Sequence, residues 1–186
     1  LAAAAALAIG VSGSHLNATT AIANAAFMGA LLIAVAGFAT AWWYRSAGNL
    51  QVATVAYLWA LAWWLGNVIL EIGDFVEIDS RLHAVLLLLG VTGWLAAEVQ
   101  RRAPALALSL TTLGSLVMAF PVAFLQVSEY GQPFAGYGAI AWAVFAALGV
   151  RSLLCLRAGS GTVAGLAQLA WWLLWPTVLS LLAWHI

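Results

Sequence analysis

Charge is what this chain lacks. Of its 186 residues only 6% are Asp, Glu, Lys or Arg, against roughly 25% in an average soluble domain. A soluble globule of this size must cover itself with ionisable groups, and six basic and six acidic residues cannot do it. Lysine is absent altogether, and the net charge is zero. Without a basic patch, nucleic-acid binding is excluded. A single cysteine, Cys155, excludes a disulfide scaffold. Low charge combined with 66% apolar residues excludes disorder. No phosphate loop, dinucleotide fingerprint or nucleophile–base–orienter set is visible. The opening run LAAAAALAIGV has no basic region before it, so it does not resemble a signal peptide. At about eleven residues it is too short to cross roughly 30 Å of hydrocarbon. It reads as a truncated helix, and the chain as a piece of a longer protein.

What is present is a series of long apolar runs cut by punctuation residues. They cover about 21–44, 50–72, 82–99, 105–127, 135–156 and 163–184. Each has the length a helix needs to cross a bilayer at about 1.5 Å rise per residue. Ala and Leu dominate every run, which favours helix. The roughly ten-residue alternating segments of a membrane β-barrel are not seen. The expected fold is all-α: one polytopic transmembrane helix bundle, with six full spans plus the truncated N-terminal helix.

The ionisable residues alternate between connections. Arg45, then Arg101 and Arg102, then Arg157 with Arg151 nearby, fall in every second connection. Glu71, Asp74, Glu77, Asp79 and Glu129 fall in the others, while Arg81 and Glu98 break the pattern. By the positive-inside rule the arginine side is cytoplasmic. The acidic loop and the C-terminus then face outside.

Several groups are candidates for chemistry. Glu71, Asp74, Glu77, Asp79 and His83 form a polar cluster at the outer face. Four carboxylates and an imidazole could hold a hard cation, but their spacing fits no calcium loop. The plainer reading is a solvated connection, and no metal is expected. His83 and His185 open and close spans at similar depth, so they could be axial ligands of a haem. Both lie close to water, where an interfacial histidine needs no cofactor. Trp171 and Trp175 are four residues apart and share a helix face. With Pro176 they make a candidate face for an apolar ligand such as a quinone, carotenoid or lipid tail. Packing bulk between helices is the plainer alternative. Pro121 and Pro176 each free a carbonyl inside a span. Glu98 is spaced to pair with Arg101 and Arg102, and Arg151 is placed to snorkel. Ser109, Thr112 and Ser115, or Thr111 and Ser115, could bond across to a neighbouring helix; bonding back to their own helix is the plainer reading. Gly90 and Gly93, with Ala96 and Ala97, offer a close-packing surface. Cys155 reads as an inert thiol.

The stretches AYLWALAWWLGNVILEI (56–72), YGAIAWAVFAALGVRSLL (137–154) and GLAQLAWWLLWPTVLSLLAWHI (165–186) are Ala-, Leu- and Trp-rich. With Trp63-Trp64-Leu65-Gly66 followed by Glu71, they resemble an uncharacterised bacterial family of multi-pass membrane proteins, a domain of unknown function. The resemblance implies a long inner-membrane protein and carries over no site residue. The expected role is a membrane module without a catalytic site, a structural component or subunit of a larger assembly. Its partners would be the lipid bilayer and other membrane helices, with no cofactor. The alternatives are a transporter or flippase for an apolar or amphipathic substrate, and a haem- or quinone-linked redox subunit.

Overall fold

A computed structural model describes residues 20–157 and 161–184. The structure is all-helical, 86% helix, and no strand occurs among the described residues. Six helices follow in order: α1 (Ala25–Ser46), α2 (Leu50–Phe75), α3 (Arg81–Arg102), α4 (Leu106–Tyr130), α5 (Gly138–Arg157) and α6 (Thr162–Ala183). A 3₁₀ turn, Ile78–Ser80, precedes α3. All six are long and apolar enough to cross a membrane. A multi-pass membrane bundle therefore fits.

The boundaries differ from the sequence reading by a few residues and for local reasons. α1 starts at Ala25 rather than near residue 21, because the Asn24 side chain accepts the Phe27 N–H at 2.7 Å and caps it. α2 and α4 run on past residues 72 and 127 to Phe75 and Tyr130, since a polar residue in a last turn does not stop a helix. The truncated N-terminal helix read from the opening run lies outside the described residues, as does His185. Pro121 and Pro176 do not end their helices, and both prolines are exposed.

The chain divides into two compact units at Val76 and Glu77. The first unit contains the hairpin of α1 and α2. Gly48, at φ 83°, closes the turn between them. The Gly48 N–H bonds to the Arg45 carbonyl and the Asn49 N–H to the Tyr44 carbonyl, the two bonds of a Schellman motif. Asn49 then caps α2 by accepting from the Val52 N–H. The helices meet along small residues. Ala26, Ala30, Ala34 and Ala41 are buried on α1, and Ala53 and Ala60 on α2. At Gly37 the backbones come so close that an added Cβ would stand 2.8 Å from that of Ala60. Between helices surrounded by lipid there is no hydrophobic gain, and such close approach supplies the packing instead.

In the second unit α3 packs on both α4 and α5, and α4 also packs on α6. Its core is built from Leu86, Leu116, Ala119, Val122, Trp142, Phe145, Leu174 and Val178 among others. The small-residue surface expected on α3 is present. Gly90 faces Phe145, Gly93 faces Ser115, and Ala96 and Ala97 are buried.

Candidate functional site

The acidic loop does not behave as one cluster. Asp74, Glu77 and Asp79 are exposed, as a solvated connection requires. Glu71 and His83 are buried instead, each in a different unit and each among its own partners. His83 is thus not the water-facing histidine that its place at the start of a span suggested.

Glu71 is 6% exposed in the last turns of α2. Its carboxylate accepts from the Asn24 side-chain amide at 3.0 Å, and also from the backbone N–H of Ile22. Ile22 has φ 63°, a left-handed conformation that a β-branched residue seldom adopts. The carboxylate holds that backbone turn in place at the foot of α1. One turn from Glu71 on the same face, Asn67 donates to the Phe27 carbonyl at 3.1 Å. Asn24 and Asn67 thus tie α2 to the start of α1 through polar groups that lipid would not satisfy.

His83 is 3% exposed and belongs to a chain of side chains that crosses three helices. Gln126 of α4, fully buried, is the node. The Trp142 indole on α5 donates to Gln126 Oε1 at 2.9 Å. Gln126 Nε2 stands 2.9 Å from His83 Nδ1 on α3. An indole nitrogen can only donate, so the amide oxygen must face Trp142 and the amide NH₂ must face the imidazole. His83 Nδ1 is therefore an acceptor, and the ring is held as the neutral Nε2–H tautomer. Tyr130 covers the ring with centroids 5.0 Å apart. Its hydroxyl donates to the Ile78 carbonyl at 2.8 Å and accepts from the Leu82 N–H at 3.3 Å, fixing the entry to α3. Gln126 and Trp142 were not singled out in the sequence. The only signal was an uncharged polar residue inside an apolar run, one turn before Tyr130.

The Trp171–Trp175 face is filled by protein. Trp142, Phe145, Trp171 and Trp175 form a closed ring of aromatic contacts between α5 and α6. Their centroids are 5.4 to 6.5 Å apart, three of the pairs edge-on and one stacked. Pairs of this kind contribute about 0.5–1.5 kcal/mol each beyond burial. Pro176 is exposed and not part of the ring. Gly149 allows the approach, since an added Cβ would fall on the Trp171 indole.

At the other end, Glu98 on α3 bonds to Arg151 Nε on α5 at 2.7 Å and to Arg101 at 3.1 Å. Arg151, placed to snorkel, is also an interhelical partner. Thr112 Oγ1 donates across to the Gly93 carbonyl at 3.1 Å as well as back to Leu108. Thr111 and Ser115 bond back within their own helix. Cys155 is buried. No group of three or more His, Cys, Asp and Glu side chains able to hold a metal occurs among the described residues.

Compared with known proteins, the chain matches no family model, no curated protein and no solved structure.

Proposed function

We propose that this chain is an integral membrane module of a bacterial inner membrane, serving as a structural component or a subunit of a larger membrane assembly. The observation that carries the reading is the His83–Gln126–Trp142 chain. The most chemically capable side chains in the second unit are spent on one another, across three helices. Nδ1 of the imidazole is taken by Gln126, and the ring is covered by Tyr130. That arrangement leaves His83 Nδ1 no free lone pair for a haem iron. The Trp171–Trp175 pair likewise packs on protein, which favours helix packing over a quinone or carotenoid face. The arginine-bearing ends are assigned to the cytoplasm, and the likeness to the uncharacterised multi-pass family belongs to the same proposal.

Extraction of the full chain from its membrane in polymer nanodiscs, followed by native mass spectrometry, tests the reading. The expected result is a complex of fixed stoichiometry with other membrane subunits. A monomer whose tryptophan emission is quenched in a saturable way by quinones or lipid-like substrates would overturn it in favour of a carrier.

A further inference from the structure

His83, Gln126 and Trp142 hold one another through a count of donors and acceptors that has no slack. The indole N–H donates to Gln126 Oε1 at 2.9 Å, and Gln126 Nε2 donates to His83 Nδ1 at 2.9 Å. The neutral imidazole supplies the last acceptor. A proton on Nδ1 turns that atom into a donor. Three donor groups then share one acceptor, the amide oxygen. Turning the amide round gives the oxygen to the charged ring and sets the NH₂ against the indole N–H. In either setting two donors face each other at hydrogen-bond distance.

The surroundings do not relieve this conflict. The three side chains are 3%, 0% and 1% exposed, so water does not reach them while the helices are closed. α4 brings one titratable group against the ring, Tyr130, and its hydroxyl is already committed to the Ile78 carbonyl and the Leu82 N–H. α5 meets the ring with Gly138, where an added Cβ would stand 3.1 Å from His83 Cε1. Of the charged residues nearby in sequence, Glu77, Asp79 and Glu129 are exposed and Arg81 is half-buried. Among the described residues no carboxylate pairs with the imidazole. A charged ring would be left dry and without an acceptor, which is costly.

We propose that this chain of side chains is a proton-operated latch: one proton on His83 Nδ1 parts the start of α3 from α4 and α5. The direction follows from linkage. The closed seam requires a neutral ring, whereas an opened, hydrated imidazole titrates at about pH 6.5. The open form therefore binds more protons. The seam is stable above that range and loses stability as pH falls through it. Between about pH 7.5 and about pH 5.5 the opening constant rises about tenfold. His83 lies in the first turn of α3 and Arg101 and Arg102 in the last, so the latch answers to the pH on the side of the acidic connections. It does not depend on the subunit role proposed above.

The full chain in lipid nanodiscs is followed by hydrogen–deuterium exchange across that range, corrected for the intrinsic effect of pH on exchange. Conditions are chosen so that protection reports the opening equilibrium. Protection in the first halves of α3 and α5 is expected to fall about tenfold from the higher to the lower pH. His83→Asn keeps an acceptor oxygen for the Gln126 amide and has no proton to gain, so the acid loss should vanish. His15 and His185 are present in both proteins, so the difference between them belongs to His83. Trp142→Phe separates the latch from a merely buried imidazole. Without the indole donor the amide is free to turn and give its oxygen to the charged ring, so the acid loss should be smaller than in the wild type. Protection in the wild type that does not change with pH, the same acid loss in His83→Asn, or the full wild-type loss in Trp142→Phe would each overturn the proposal.

Discussion

Gln126→Leu removes one side chain of nearly unchanged volume from the fully buried node of the second unit. Two groups lose their partner at once: the Trp142 indole N–H and His83 Nδ1, each 2.9 Å from the amide. In water-soluble proteins a buried orphan costs about 1–3 kcal/mol. Interhelical hydrogen bonds in a membrane protein average only about 0.6 kcal/mol by double-mutant cycles, because the unfolded helices find other partners in the bilayer. Trp142 is 1% exposed and His83 3%, so neither reaches a substitute acceptor or donor without opening the helix contacts. The expected loss is therefore about 2 kcal/mol, between those two limits. Trp142→Phe removes the indole donor and keeps the ring contacts, and Gln126→Leu/Trp142→Phe removes both ends of one bond. The double variant should be more stable than the sum of the single losses implies, by about 1 kcal/mol. Reversible unfolding in mixed micelles with increasing denaturing detergent, read by tryptophan emission and helix content, measures all three variants. Strict additivity, or a neutral Gln126→Leu, would show that the amide is not the link between α3, α4 and α5.

Two further outcomes follow from local geometry and from charge. An added Cβ at Gly93 would coincide with the Ser115 hydroxyl and stand 2.9 Å from the Ser115 Cβ. Gly93→Ala should therefore destabilise by about 1–3 kcal/mol, with recovery in Gly93→Ala/Ser115→Gly; an unchanged unfolding midpoint in the single variant would refute the contact. For orientation, cysteines replacing Asp79 and Glu129 should react with a membrane-impermeant maleimide on intact cells, in a Cys155→Ser background. Cysteines replacing Ser46 and Arg102 should react only after permeabilisation, and the opposite pattern would invert the assignment.

The helices were legible because lipid selects on whole segments. Once a run of 20 or so residues carries almost no charge, helix is the one conformation that satisfies its backbone internally. Ends were less legible, since Asn24 caps α1 through a side-chain bond that a hydropathy pattern does not register. Fate within the acidic loop was not legible at all. Glu71, Asp74, Glu77, Asp79 and His83 are neighbours along the chain, and nothing local separates them. Burial was decided by partners far away in sequence. Glu71 is bonded by Asn24, 47 positions earlier, and His83 by Gln126, 43 positions later. The tryptophans divide in the same way. That Trp171 and Trp175 share a face follows from their spacing, whereas the rings they meet, Phe145 and Trp142, could not be read from α6 alone.

The two units meet the same demand by different means. Surrounded by lipid, an apolar side chain gains little by moving from acyl chains to protein, so association must come from close contact or from polar groups that need one another. The first unit takes the route of small residues, Gly37 against Ala60 and a ladder of alanines, with asparagines closing one end. The second uses large rings and hydrogen bonds, and Trp142 belongs to both sets. Its indole N–H joins α5 to α4 and, through Gln126, to α3, while its ring joins α5 to Trp175 on α6. The two functions of that side chain are separable, because phenylalanine keeps a ring and loses the donor. If Trp142→Phe left the α5–α6 ring packing intact but loosened α3, the polar chain would be what orients α3. If it loosened α6 first, the indole's extra area in the aromatic ring would outweigh its hydrogen bond.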